Sequence, residues 1–269
     1  MRTLFESMWI LALRRATVNI VETRGAPRQS SVLWSGRVFL LTTLAVIVST
    51  AMGEEKSSDW PSFRGRGHRG VANGYPVRSS WHAARDGEKI DGVLWSTPVP
   101  GLGHSSPIVF GDKIFLATAI ATDGVSPLKI GRGGRPDAAD DNGEQSWVVL
   151  CYDKRSGDEL WRQTARKGAP RATRHAKATH ANTSLVTDGE HLVAFFGSEG
   201  LYCYDLNGRL QWSRDLGVIN ISKYGIGWGY ASSPVIHKDR IALVCDDPEN
   251  PFLVVLRLSD GEEVWRVSR

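Results

Sequence analysis

The chain of 269 residues is 41% hydrophobic and 23% charged, a balance that excludes both a disordered chain and a polytopic membrane protein. Its net charge of +4 does not point to nucleic acid: residues 1–37 hold six Arg against two Glu, and the remainder balances 27 basic against 27 acidic residues. No basic excess is left there to bind phosphate. The high Gly and Trp content, 28 and 10 residues, suits short strands joined by tight turns.

Residues 1–52 read as a leader. Arg24, Arg28 and Arg37 precede the uncharged run Val38–Val48, small residues Ser49, Thr50 and Ala51 follow it, and charge resumes at Glu54. Basic region, apolar core and small-residue cleavage site are the layout of a secretory signal. The apolar core is shorter than the roughly 20 residues of a membrane-spanning helix, so an uncleaved anchor is the alternative. The chain is therefore expected outside the cytoplasm, in the periplasm or cell envelope, touching a membrane only through an uncleaved leader. The three cysteines, Cys151, Cys203 and Cys245, are an odd number and two of them are equivalent repeat positions. They are expected as small buried hydrophobes and not as a bridge.

An entry segment spans 53–91, and a repeat of about 52 residues occupies 92–269. Cys151-Tyr-Asp-Lys-Arg-Ser-Gly-Asp-Glu-Leu-Trp161 returns one residue shorter as Cys203-Tyr-Asp-Leu-Asn-Gly-Arg-Leu-Gln-Trp212. It returns again as Val255-Leu-Arg-Leu-Ser-Asp-Gly-Glu-Glu-Val-Trp265. Trp95 in Gly-Val-Leu-Trp heads the series. Upstream, His104-Ser-Ser-Pro, Ala181-Asn-Thr-Ser and Ala231-Ser-Ser-Pro mark the start of each unit. Residues 121–146, rich in Gly, Asp, Arg and Pro, have no apolar period and read as a surface loop inserted in the first unit.

Four short apolar runs recur in each unit. In the second they are Ser184–Thr187, His191–Phe196, Gly200–Tyr204 and Arg209–Trp212, divided by hairpin-turn clusters. Asp153 and Asp205 are placed to accept backbone N–H groups just downstream, as in an Asx turn. Gly157, Gly208 and Gly261 supply the positive φ that closes such a turn, and each Trp opens an outgoing strand with an indole to bury. The third copy has Arg257 where Asp is expected, so its turn needs another stabiliser. Radially repeated four-stranded units make an all-β propeller, with a β-sandwich as the plainer alternative.

At these residues the chain resembles the pyrroloquinoline-quinone (PQQ)-like repeat propellers. Their pattern Ala-x-Asp-x-x-Thr-Gly-x-x-x-Trp is matched by Cys151, Asp153, Ser156, Gly157 and Trp161. The segment Asp59-Trp-Pro-Ser-Phe-Arg-Gly65 resembles the entry motif of exported propellers of this type from planctomycete-like bacteria. The resemblance implies about seven or eight blades, of which this chain holds about three. The expectation is therefore a partial propeller, either a truncated piece of a longer product or one completed by another copy or another chain.

That resemblance leaves two classes of function. A PQQ-dependent dehydrogenase would need a quinone stacked on Trp, Ca²⁺ held by Glu, Asn and Asp, and an Asp base. Neither a Cys-Cys pair nor a recurring acidic cluster is present, so no catalytic, cofactor-binding or metal residue is assigned. A scaffold of the kind found in outer-membrane assembly instead presents loops to another protein or a cell-envelope component, and this reading is favoured. Just before the Ser-Ser-Pro positions, His104, His180, Trp228 and Tyr230 read first as ordinary polar turn residues, with the mouth of a ligand site as the alternative. Arg171, Arg174, His175 and Lys177 form a local basic patch expected as a solvated loop. Asp246, Asp247 and Glu249 suit either Ca²⁺ or a polar turn.

Overall fold

The computed structural model describes residues 58–72, 92–124, 128, 138–139, 143–219, 222–223, 226–227 and 229–269. The leader expected over 1–52, much of the entry segment, most of the insert and Trp228 lie outside the described residues. The described residues all belong to the unit spanning 56–269.

Three antiparallel meanders succeed one another. The first blade comprises β1 (Ile108–Phe110), β2 (Lys113–Ala121), β3 (Gln145–Asp153) and β4 (Glu159–Gly168). The second comprises β5 (Val186–Thr187), β6 (His191–Phe195), β7 (Leu201–Asp205) and β8 (Leu210–Arg214). A small ribbon of β9 (Ser222–Lys223) and β10 (Ile226–Gly227) lies between the second and third. The third blade is β11 (Val235–His237), β12 (Arg240–Cys245), β13 (Phe252–Arg257) and β14 (Glu263–Ser268). Spatial order equals chain order in each sheet, so the chain has the all-β, partial-propeller architecture its repeat implies. Strand β3 begins at Gln145, so the final residues assigned to the insert belong to the ladder.

Register shows why the repeat carries those residues. One row crosses all four strands of every blade: Ile108, Phe115, Cys151 and Trp161 in the first; Val186, Val193, Cys203 and Trp212 in the second; Val235, Ala242, Val255 and Trp265 in the third. In the first two blades this forward row packs against the rear face of the next. Leu192, Ala194 and Tyr204 share a core with the first row, and Ile241, Leu243 and Val254 share one with the second. The repeated cysteines are central members of these rows, free and fully buried.

Each joint is closed by the Trp. The Trp161 indole N–H donates to the Leu206 carbonyl at 3.3 Å, and that of Trp212 to the Leu258 carbonyl at 2.8 Å. Each ring lies on the turn glycine of the next blade. A Cβ on Gly208 would come within 2.9 Å of the Trp161 ring, and one on Gly261 within 2.6 Å of Trp212. These glycines have φ of +86° and +72°, so they satisfy the turn and the seat together. Trp95 repeats the arrangement on the first blade, with its N–H 3.0 Å from the Lys154 carbonyl and its ring over Gly157.

The turns themselves follow the Asx rule in two copies. Asp153 accepts from the N–H groups of Arg155 and Ser156 at 2.8 and 2.9 Å, and Asp205 from those of Asn207 and Arg209 at 2.9 Å each. In the third copy Asp260 takes over. It accepts the Glu262 N–H at 3.0 Å and pairs with the Arg257 guanidinium, so the residue replacing Asp holds the substitute carboxylate. The described entry residues lie along the innermost strand: Trp60 and Val109 exchange backbone hydrogen bonds of 2.8 and 2.9 Å, and Thr187 N–H donates to the Pro61 carbonyl. That segment ties the first two blades together.

Candidate functional site

A small cleft, with about 30 Å³ of room for a water-sized guest, opens between the connector joining the first two blades, the short turn after β6 and the connector leading to β11. Strand-to-strand turns and inter-blade connectors meet on this face because each meander must cross there to begin the next. The cleft is lined by three aromatic rings (Trp147, Phe196, Tyr230), by Thr179, His180, Asn182 and Thr183, and by Arg174 and Glu199.

His180 and Tyr230 thus come together in one cleft. His180 packs edge-on against the fully buried Trp147, ring centroids 6.0 Å apart, and its carbonyl accepts the Trp147 indole N–H at 3.1 Å. Tyr230 contributes its ring and not its hydroxyl. The hydroxyl donates to the Val244 carbonyl in the third blade, the ring lies edge-on to Phe195 at 4.8 Å, and burial pushes the phenol above its usual range. His104 is not in the lining; it is exposed, and its N–H donates to the Ala181 carbonyl at 2.9 Å. Trp228 lies outside the described residues.

The basic patch is not the solvated loop that its sequence suggests. Arg174 is 1% exposed, with its guanidinium donating to the Ala178 carbonyl at 2.6 Å and the His175 carbonyl at 3.4 Å. Its own carbonyl accepts the Ala139 N–H, so a described piece of the insert closes over it. Arg171 reaches the Ser198 carbonyl at 2.8 Å and Asp215 at 3.0 Å. The Gly217 N–H and then Arg171 hold the Asp215 carboxyl below the ordinary range. Arg171 therefore binds the connector to the second blade, Arg174 braces the connector's own turn, and Lys177 remains exposed.

Glu199 is the feature that sequence alone conceals. The hairpin turn between β6 and β7 is a buried 3-10 turn, Gly197–Glu199. The Glu199 carboxylate meets the Arg166 guanidinium at 2.5 Å and accepts the Arg171 N–H at 2.7 Å. Arg166 in turn stands 5.7 Å above the Trp147 ring. Asn182 ties both connectors together, its Oδ1 accepting from the N–H and hydroxyl of Thr179 at 2.8 Å and its amide donating to the Tyr230 carbonyl at 3.1 Å. The charged groups at the cleft are thus engaged by the fold, and the surface left to a guest is aromatic with neutral hydrogen-bonding edges.

Away from the cleft, Asp247 accepts the N–H groups of Glu249 and Asn250 at 2.9 and 3.3 Å, and Asp246 pairs with Arg269. These are polar-turn roles. Among the described residues no helix is long and apolar enough to cross a membrane.

No curated protein matches the sequence. Among solved structures, the quinohemoprotein alcohol dehydrogenase ADHIIG of Pseudomonas putida HK5 is 14% identical, with a TM-score of 0.38 over 64% of this chain and 21% of that one. The quinohemoprotein alcohol dehydrogenase of Comamonas testosteroni is 17% identical, with a TM-score of 0.33 over 58% and 23%. BamB of Moraxella catarrhalis is 14% identical, with a TM-score of 0.29 over 63% and 47%. The chain therefore spans about a fifth of the length of the dehydrogenases and about half that of this BamB. Residues 84–213 and 144–269 each match one and the same repeat family, and together these overlapping stretches take in every blade and every Trp–Gly seat described above. By that match, which covers more than half of its length, the chain belongs to the family described as outer membrane protein assembly factor BamB.

Proposed function

We propose that the chain is an exported, non-catalytic binding propeller that holds a protein partner on its connector face, around the His180–Tyr230 cleft. The observation carrying this reading is the state of the charges at the cleft: Arg166, Arg171 and Arg174 are bound to Glu199, Asp215 or main-chain carbonyls. What remains is an aromatic and neutral polar surface, suited to recognition by shape and hydrogen bonds. The description of the family as an outer membrane protein assembly factor supports a protein partner and an envelope setting, as does the leader read in residues 1–52.

The donor set speaks against a quinone with its cation. Of the residues lining the cleft Glu199 alone is acidic, and its carboxylate is already taken by Arg166 and the Arg171 N–H. Trp161 and Trp212 are seated on glycine turns between blades and offer no free face to a planar ring. No step is therefore built on that cofactor.

Photo-crosslinking tests the proposal. A photoreactive residue is placed at exposed Thr173 on the cleft rim of the full chain, in cells that export it, with the same residue at exposed Asn207 on the hairpin turn as control. Discrete adducts with exported proteins at position 173, lacking at 207, are expected. Identical adduct patterns at both positions, no adduct at 173, or dye-coupled alcohol oxidation after loading with PQQ and Ca²⁺, overturn the reading.

A further inference from the structure

The chain has three Asn-Gly pairs, beginning at Asn73, Asn142 and Asn207. Asn73 and Asn142 lie outside the described residues, whereas Asn207 stands at the joint between the first two blades, both of them described. It precedes Gly208 in the turn between β7 and β8, where the first blade has Ser156 before Gly157 and the third has Asp260 before Gly261. Asn207 is exposed to water, and Gly208 is buried beneath the Trp161 ring. A cation reaches this tip from the neighbouring blade: the Lys113 ammonium donates to the Asn207 Oδ1 at 2.9 Å and to the Leu206 carbonyl at 2.8 Å.

We propose that Asn207 is a modification site, converted without an enzyme to aspartate and isoaspartate, with Lys113 polarising the amide that reacts. The Gly208 main-chain nitrogen, with no Cβ beside it to crowd the approach, bonds to the Asn207 side-chain carbonyl carbon. The bond it gives up is its 3.1 Å hydrogen bond to the Asp205 carbonyl, at the long end of the N–H to O range. Negative charge gathers on Oδ1 of the tetrahedral intermediate, where the Lys113 ammonium meets it. The bond to the side-chain nitrogen then breaks, and that nitrogen leaves as ammonia with the Gly208 proton, closing a five-membered imide. Water reopens the ring. Attack at the side-chain carbonyl leaves aspartate; attack at the main-chain carbonyl leaves isoaspartate, which routes the peptide link through the side chain and adds a methylene to the main chain. The first product fits the turn, because the third blade already holds Asp260 at this place and a carboxylate at 207 faces Lys113. The second does not fit. Its extra methylene falls between Leu206, whose carbonyl accepts the Trp161 indole N–H at 3.3 Å, and Gly208, on which that ring rests. Ageing therefore divides the chains into some that keep the first joint and some that lose it, independently of the cleft.

Peptide mapping by mass spectrometry, with isoaspartate-specific methylation, tests this on the full chain aged in warm, mildly alkaline buffer. Asn207 is expected to convert, with both products present. Lys113→Met should slow conversion at Asn207 about tenfold, the worth of one charge-assisted hydrogen bond to the oxyanion, and leave the rates at Asn73 and Asn142 unchanged. Lys113→Arg, which keeps a cation, restores the rate, and Lys113→Gln serves if Lys113→Met folds poorly by circular dichroism. The isoaspartate fraction, separated chromatographically, should melt below unaged protein, whereas Asn207→Asp melts with it. An Asn207 still in its amide form after ageing overturns the proposal. So does conversion at wild-type rate in a folded chain without the Lys113 charge, or an isoaspartate fraction that melts like unaged protein.

Discussion

Gly261→Ala isolates the energy of one inter-blade seat. The residue has φ +72°, and a new Cβ would lie 2.6, 2.8 and 3.0 Å from three atoms of the Trp212 ring. That ring cannot swing away, because it is 8% exposed and its N–H is held by the Leu258 carbonyl at 2.8 Å. Alanine in a left-handed conformation costs about 1–2 kcal/mol, and forcing an extra carbon into packed surroundings adds roughly 1–3 kcal/mol. The control is Gly111→Ala, at φ +59° with nothing within 4 Å of the new carbon, which incurs only the first cost. Entropy lost by the unfolded chain is common to both and cancels. At about 2–4 °C per kcal/mol for a folded unit of this size, Gly261→Ala should melt roughly 2–12 °C below Gly111→Ala. A double-mutant cycle sharpens the test. In the background of Trp212→Ala the ring is gone, so Gly261→Ala should cost no more than Gly111→Ala. Equal melting temperatures for the two glycine variants, or strictly additive effects of Gly261→Ala and Trp212→Ala, would refute the seat as an energetic unit.

Glu199→Gln should destabilise by roughly 1.5–3 kcal/mol, the worth of a hydrogen bond to a charged group, because the Arg171 N–H loses its carboxylate acceptor and Arg166 its counter-ion; chemical denaturation reads this, and an unchanged midpoint contradicts the account. The Asp153 carboxyl is held below the usual range by the N–H groups of Ser156 and Arg155, and that of Asp260 by the Glu262 N–H and then Arg257. Folded values below the unfolded one, about 3.9, mean stability that is present above that value and lost as pH falls through the depressed folded-state values. Asp153→Asn should therefore flatten the acid limb of a stability–pH curve while leaving its neutral-pH shape unchanged. Burial pushes the Cys151 and Cys203 thiols up to about 12 and that of Cys245 to about 11. At pH 8 a thiol reagent should accordingly label native protein only as fast as it unfolds, and rapid labelling of native chain would contradict the buried rows.

The blades were legible from spacing because indole and glycine leave a periodic trace. Cys151 and Cys203 recur for the same reason, being the small member of a row that must pass beneath the next sheet. The third turn was half legible. Arg257 announced a missing acceptor, but Asp260 and Arg257 substitute together, and an acceptor at the far side of a turn looks like any polar turn residue. The cleft was least legible. His180 and Tyr230 stand before equivalent strands and line one cleft, whereas His104, at the matching point of the first blade, does not, so repeat position alone does not fix the set. Arg174 and Glu199 do not repeat, and their polar letters describe solvated loops until carbonyls and side chains from β4, the insert and the second connector surround them. Burial of a charge is decided by remote chain, which local composition does not record.

The seats that join the blades are written in main-chain carbonyls, a hydrogen atom where other residues carry carbon, and one indole. Each unit brings its own donor on one flank and its own acceptor on the other, so excising or duplicating a whole unit preserves the indole–glycine seat at every surviving joint. Stability in such an array accrues by nearest neighbours, and lineages can change the count of units by unequal recombination without redesigning those seats.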